Sequence, residues 1–205
     1  MNPQVANVQH TIQVRLQEAA RIHSQLSPDS LMAIARAAEV MTAAVHAGRK
    51  IIWFGNGGSA TQSQHMAAEF VGRFTKERRA LPSIALTENM ASVTAIANDY
   101  TYEAIFARQL EGLSQPGDVA IGLSTSGSSP NVLAGLRRAR ELGLTTIGFT
   151  GASGTAMRSL CDVSIAAPTT ETAHIQEVHL TIGHILCGLV EEALTASHAP
   201  GSHRS

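Results

Sequence analysis

A chain of 205 residues, 44% of them hydrophobic and 15% charged, carries enough apolar material for one α/β domain with a sizeable core and needs no second. Its formal net charge is −1, and its 15 basic residues are scattered apart from small groups at Arg73–Arg79 and Arg137–Arg140, which argues against nucleic acid as a partner. Met1-Asn-Pro lacks the basic start and apolar run of a signal peptide, and no stretch reaches the ~18 apolar residues of a membrane span, so a cytoplasmic protein without a membrane partner is expected.

Apolar residues at Val5, Val8, Ile12, Leu16, Ala19, Ile22 and Leu26 recur at helical spacing. Ser27-Pro28 then supplies an N-cap and a first-turn proline for a second helix through Leu31, Ile34, Ala38, Met41 and Val45, which Gly48 stops. Two helices ahead of the first strand suggest a part that pairs with another subunit; the alternative is a helical layer packed on its own domain. Lys50–Phe54 reads as a first, buried strand. It is followed by a glycine-rich turn and a helix through Glu69, then by the polar connection Gly72–Arg79. Ser83–Leu86 is a second strand, Met90–Ala97 a helix ending in Asn98-Asp99-Tyr100, and a further helix runs through Phe106 to Leu113. After the turn Pro116-Gly117, Asp118–Leu123 is a third strand, Pro130–Leu142 a helix closed by Gly143, and Thr145–Phe149 a fourth strand. Thr155–Leu160 is a short helix, Val163–Ala166 a fifth strand and Thr172–Leu194 the last helix; residues 197–205 are expected to fray. Cys161 and Cys187 form no metal-type pair and read as core thiols of a reduced compartment, without a disulfide. Strands alternating with helices predict a three-layer αβα sandwich on a five-stranded parallel sheet. Ligands of such sheets bind beyond the carboxyl ends of the strands.

Two loops lie at such ends. In Gly55-Asn-Gly-Gly-Ser59 the glycines permit a tight turn and close approach to a ligand, and the following helix offers free N–H groups to an anion. The segment also satisfies G-x-G-x-x-A, but a dinucleotide site wants an acidic residue about 20 positions on; the chain is basic there and Glu88 comes too late. Ser124-Thr-Ser-Gly-Ser-Ser129 gathers five hydroxyls around a glycine, a setting for a monophosphate. Without a Gly-Lys-Ser/Thr ending it is not a nucleotide P-loop, so no nucleotide cofactor is expected. A serine-rich turn in which Ser129 only caps the helix is the plainer alternative.

His65 and Glu69 are four apart and share a helical face. Taken alone, a His and Glu at this spacing are more often a solvated surface pair, and the sharper reading needs partners elsewhere in the chain. In the last helix, His174, His179 and His184 follow at five-residue intervals, about 140° of turn each, so the three cannot share a face. Gln176 and His184 differ by about 80° and can reach one cleft, while His179 points elsewhere and is expected partly buried or at the surface. Two imidazoles, a carboxylate and an amide oxygen would suit zinc, with nickel or cobalt also fitting.

Gly55-Asn-Gly-Gly-Ser59, His65-x-x-x-Glu69, Asn98-Asp99, Ser124-Thr-Ser-Gly127 with Ser129, and Ile175-Gln-Glu177 followed by His184-Ile-Leu give a chain that resembles the sugar isomerase (SIS) domain family over nearly its whole length, to about Leu194. The resemblance implies a flavodoxin-like fold with residues 1–196 as a single domain, its two N-terminal helices serving oligomerisation. It implies one zinc per subunit at His65, Glu69, Gln176 and His184. Sugar phosphate would be held by Asn56, Gly57, Gly58, Glu69, Asn98, Asp99, Ser124, Thr125, Ser126, Ser129 and Gln176, in a homotetramer with sites at subunit contacts. The implied activity converts D-sedoheptulose 7-phosphate to D-glycero-D-manno-heptose 7-phosphate for ADP-heptose and cell-envelope polysaccharide synthesis. Moving a proton between C1 and C2 needs a base and an acid, and Glu69 and His184 are the natural pair. Two positions depart from the family pattern: His174 stands where many relatives carry Arg or Lys, and Ala173 where some carry Asp. The rival reading is a non-catalytic SIS module that regulates a partner protein; such relatives lack the acid and base at the positions of Glu69 and His184.

Overall fold

The protein is described from a computed structural model over residues 3–196; the tail expected at 197–205 lies outside these residues. Strand β1, Ile51–Gly55, is buried along its whole length, as a central strand of a parallel sheet with helices on both faces must be. Its side chains alternate between two cores. Ile51 and Trp53 enter the one beneath α2 (Pro28–His46), α3 (Gly58–Val71) and α8 (Thr172–Ala196), whereas Ile52 and Phe54 enter the one beneath α5 (Ile105–Leu113) and α6 (Pro130–Glu141). Edge-on and tilted aromatic contacts, Trp53 with Phe149 and Phe54 with Phe106, fill the two layers.

The remaining strands are β2 (Ser83–Ala85), β3 (Val119–Ser124), β4 (Thr145–Thr150) and β5 (Val163–Ala166). All pair in parallel, in the order β2-β1-β3-β4-β5, so the expected five-stranded sandwich is the fold observed. From β1 the chain steps outward to β2 and then returns to place β3 on the other side. The strand order therefore reverses between β1 and β3, and the crevice at their carboxyl ends is the natural ligand position of such sheets. Register sets Gly55 of β1 beside Leu123 of β3, and Ser124 beside Thr150. The glycine-rich and serine-rich loops thus emerge side by side.

The two N-terminal helices behave differently. Ser27 caps α2 by accepting from Ser30 N–H, and Ile34, Ala37, Met41 and Val45 are buried in the sheet core. For α2 the alternative reading holds, a helical layer packed on its own domain, because one full apolar face matches the sheet. Helix α1 (Pro3–Ser24) buries Ile22 but leaves Val5, Val8, Ile12, Val14 and Leu16 exposed. Among the described residues no helix is long and apolar enough to cross a membrane. Both cysteines are free, and burial pushes each thiol up to about 12, which leaves them unreactive.

His179 also differs from expectation, being fully buried against Phe149 rather than near the surface. Its Nε2 donates to the Thr150 carbonyl at 3.1 Å while Nδ1 has no partner. Burial, partly opposed by that carbonyl, lowers its pKa to about 4. The folded state therefore favours the neutral ring. Its contribution is complete above pH 6.5 and is lost as pH falls toward 4, a loss of about 3 kcal/mol at the lower limit. We expect His179→Gln to flatten the fall of the melting temperature between pH 6.5 and 4; a variant with the wild-type acid limb would show that this ring does not govern it.

Candidate active site

The first loop turns at Gly57, whose φ of +54° suits glycine, and α3 begins at Gly58. A Cβ at Gly58 would lie 2.5 Å from Gln176 Nε2. The missing side chain lets the amide of Gln176, from the first turns of α8, rest against the loop. Gln62 of α3 reinforces this meeting by donating to the Gln176 carbonyl at 2.6 Å.

The serine loop is built on Gly127, at φ +64°. Its N–H donates to the Ser124 carbonyl at 3.0 Å, and its own carbonyl accepts from Met157 N–H. The Thr125 carbonyl accepts from Gly151 N–H at 3.1 Å, so the loop main chain is anchored to the turn after β4. Above this frame the hydroxyls gather: Ser124 Oγ lies 2.9 Å from Ser129 Oγ and 3.4 Å from Ser126 Oγ, and Ser128 Oγ donates to Ser126 Oγ at 3.0 Å. Ser129 makes no side-chain cap to α6. Capping is therefore not what its hydroxyl does, and these hydroxyls can rotate to donate to an oxyanion without moving the main chain.

A reciprocal amide pair joins the two loops. Asn56 Nδ2 donates to Asn131 Oδ1 and Asn131 Nδ2 donates to Asn56 Oδ1, each at 2.8 Å, and Asn131 is buried. Tyr102, in a 3-10 turn over Tyr102–Ala104, adds a hydrogen bond to Asn56 Oδ1 at 3.0 Å. The Asn56 amide is thus committed to holding the crevice together. Neither Asn131 nor Tyr102 was expected from sequence; the one available signal was their position at the edge of a motif, directly after Ser129-Pro130 and shortly after Asn98-Asp99. Those last two residues end α4 (Met90–Asp99), where they are exposed and bonded to each other at 2.9 Å. No described contact joins them to either loop.

Farther along α3 the predicted pair meets its partner from α8. His65 Nε2 lies 3.0 Å from His184 Nε2 and 3.4 Å from Glu69 Oε1. Ligand atoms of the three residues all fall within 4.8 Å of one another. Donors 2.0–2.1 Å from a single tetrahedral zinc would stand roughly 3.3 Å apart, so this donor set and its spacing fit such an ion. The ring of Phe74 lies on His184, with centroids 5.6 Å apart and planes 19° from parallel. At the departure His174 the ring lies between two carboxylates. Its Nδ1 lies 2.9 Å from Glu177 Oε2, with Glu171 on its other side at 3.7 Å. The Glu177 hydrogen bond, aided by the charge of Glu171, raises its pKa and favours a cation here.

Comparison with known proteins shows the family. The family model described as SIS domain matches residues 16–151. The chain is 52% identical over 166 residues to a phosphoheptose isomerase of Rhodospirillum rubrum, covering 81% of this chain and 88% of the relative. It is 54% identical over 155 residues to one of Aquifex aeolicus, covering 76% and 81%. Among solved structures, the phosphoheptose isomerase of Neisseria gonorrhoeae superposes with a TM-score of 0.84 at 33% identity, over 90% of this chain and 99% of that one.

Proposed function

The chain belongs to the SIS domain family, and from that premise we infer that it is a sugar phosphate isomerase that converts D-sedoheptulose 7-phosphate to D-glycero-D-manno-heptose 7-phosphate. The observation that carries this reading is the meeting of His65 and Glu69, on the helix that opens at the anion-binding loop, with His184 of α8. His65 lies seven residues beyond Gly58, about 10 Å along the helix axis. That separation suits a sugar whose reacting end is remote from its phosphate.

In this reading the phosphate sits on the Ser124–Ser129 hydroxyls and the loop N–H groups, with Gly57, Gly58 and Gln176 lining the approach. Glu69 takes the proton from C1 of the ketose and returns it to C2, while His184 moves the proton between the two oxygens through the enediol. Oε1 of Glu69 faces His65, which leaves its second carboxylate oxygen for the substrate. His65, Glu69 and His184 would hold one zinc per subunit, which when bound would polarise the substrate oxygens; the expected fourth donor, Gln176, instead rests its amide against Gly58, about two turns of α3 away from His65. Asn98 and Asp99 would reach sugar in a homotetramer with sites at subunit contacts. The exposed apolar residues of α1 support such assembly, and residues 1–196 would form its single repeating domain. The product would feed ADP-heptose and cell-envelope polysaccharide synthesis in the cytoplasm.

The purified chain is expected to form the aldose from D-sedoheptulose 7-phosphate, to lose activity to a chelator and regain it with Zn2+, and to have four times the chain mass by light scattering. Absence of isomerisation by the metal-replete protein would instead favour the regulatory module. A chelator-insensitive enzyme would remove the metal, and a monomer would remove the shared site.

A further inference from the structure

Helix α8 carries Glu191 seven residues beyond His184, two turns along nearly the same face. Its side chain is buried, yet its two oxygens are fully occupied. They accept from the successive N–H groups of Phe74 (3.1 Å), Thr75 (2.8 Å) and Lys76 (2.9 Å), from the Thr75 hydroxyl (2.7 Å) and from Arg78 Nε (3.0 Å). Burial acts to raise the Glu191 carboxyl, but hydrogen bonds from Thr75, Lys76 and Phe74 override it and hold its pKa at about 2. The guanidinium of Arg78 spends its other donors on the carbonyls of Phe70, Gly72 and Arg79, and on that of Glu69 at 2.8 Å. A polar connection with no regular secondary structure is thereby wrapped around one carboxylate. The residue it delivers to the reaction centre is Phe74, stacked on the imidazole of His184.

We propose that Phe74 is a positioning residue: the Glu191–Arg78 clamp lays its ring on His184 and so fixes the ring rotation that turns His184 Nε2 toward His65 and Glu69. This rests on the reading of these three residues as the isomerase centre. A histidine on a helix has two soft side-chain torsions, and its second is broad. Its orientation therefore comes from what touches the ring, and here one face is covered by an aromatic plane that an ionic anchor holds still. Groups around metal-binding histidines act in this way, and their loss costs about 10–100-fold in metal affinity or activity.

The test compares wild type, Phe74→Leu, Phe74→Tyr and Glu191→Gln. It measures Zn2+ affinity by competition with a chromophoric chelator, kcat and KM separately, and the imidazole proton resonances of His184 in the metal-free protein. Phe74→Leu and Glu191→Gln are expected to weaken Zn2+ binding and lower kcat about 10-fold each, with KM within about 2-fold of wild type. Both should shift the His184 resonances as the ring current of Phe74 is lost, and Phe74→Tyr should restore all three readings. Wild-type affinity, kcat and resonances in Phe74→Leu overturn the proposal. So does a loss confined to Glu191→Gln, because the clamp would then act by another route. A wild-type chain that binds no Zn2+ removes the metal reading, and the His184 resonances of Glu191→Gln, which keeps the Phe74 ring, then decide whether the clamp holds that ring on His184.

Discussion

Replacing Glu69 by glutamine is expected to lower turnover of D-sedoheptulose 7-phosphate at least ~100-fold while leaving its KM within a few-fold of wild type. The amide has the shape of the carboxylate and can still face His65, which lies 3.4 Å from Glu69 Oε1, but it cannot accept a proton from carbon. General base catalysis is worth roughly 10²–10⁴-fold, and no second carboxylate lies in the cluster of His65, Glu69 and His184 among the described residues. Phosphate binding rests on a different loop. Steady-state kinetics with Zn2+ present in excess separates the two contributions, since the change also removes a metal donor. A glutamine variant with wild-type kcat would take Glu69 out of the chemistry.

The second large effect is expected at Gly127. A Cβ there would meet the Gly154 Cα at 2.4 Å and Thr150 Oγ1 at 2.5 Å, in a residue already at φ +64°. The left-handed conformation alone costs an alanine about 1–2 kcal/mol, and the backbone contact adds about 1–3 kcal/mol of overpacking because no flexible side-chain end can yield. Gly127→Ala should therefore lower the melting temperature by several degrees and raise KM more than ~10-fold as the hydroxyl cluster is displaced. Gly48→Ala, ahead of β1 at the opposite end of the sheet, is the control. It has φ +72° but open space around the added methyl, so only the conformational penalty applies. Equal KM values in the two alanine variants would show that contact with Gly154 does not set the loop.

The serine loop and the turn after β1 were legible because their chemistry is local. Hydroxyls, glycines and a helix start lie within a few consecutive residues, and strand alternation places them at the carboxyl end of the sheet. The five strands were legible for the same reason, each being a short apolar run with a turn on either side. The departure at His174 was visible, but its meaning was not: sequence shows a weakly basic group, and only the carboxylates of Glu177 and Glu171 beside it raise its pKa.

What the chain alone determined is the direction in which groups face along one element: His65 with Glu69, apolar residues toward a sheet. Helical periodicity says which side of a cylinder a residue occupies and nothing about which cylinder lies opposite. Only the folded sheet, by reversing strand order between β1 and β3, brings α3 to α8 and joins Asn56 to Asn131 across the crevice. The same folding buries His179 completely and ties the 74–78 connection to Glu191. The Asn56–Asn131, His65–His184 and Phe74–Glu191 contacts span 75, 119 and 117 residues of chain, and packing of distant surfaces, which no local pattern encodes, decided them.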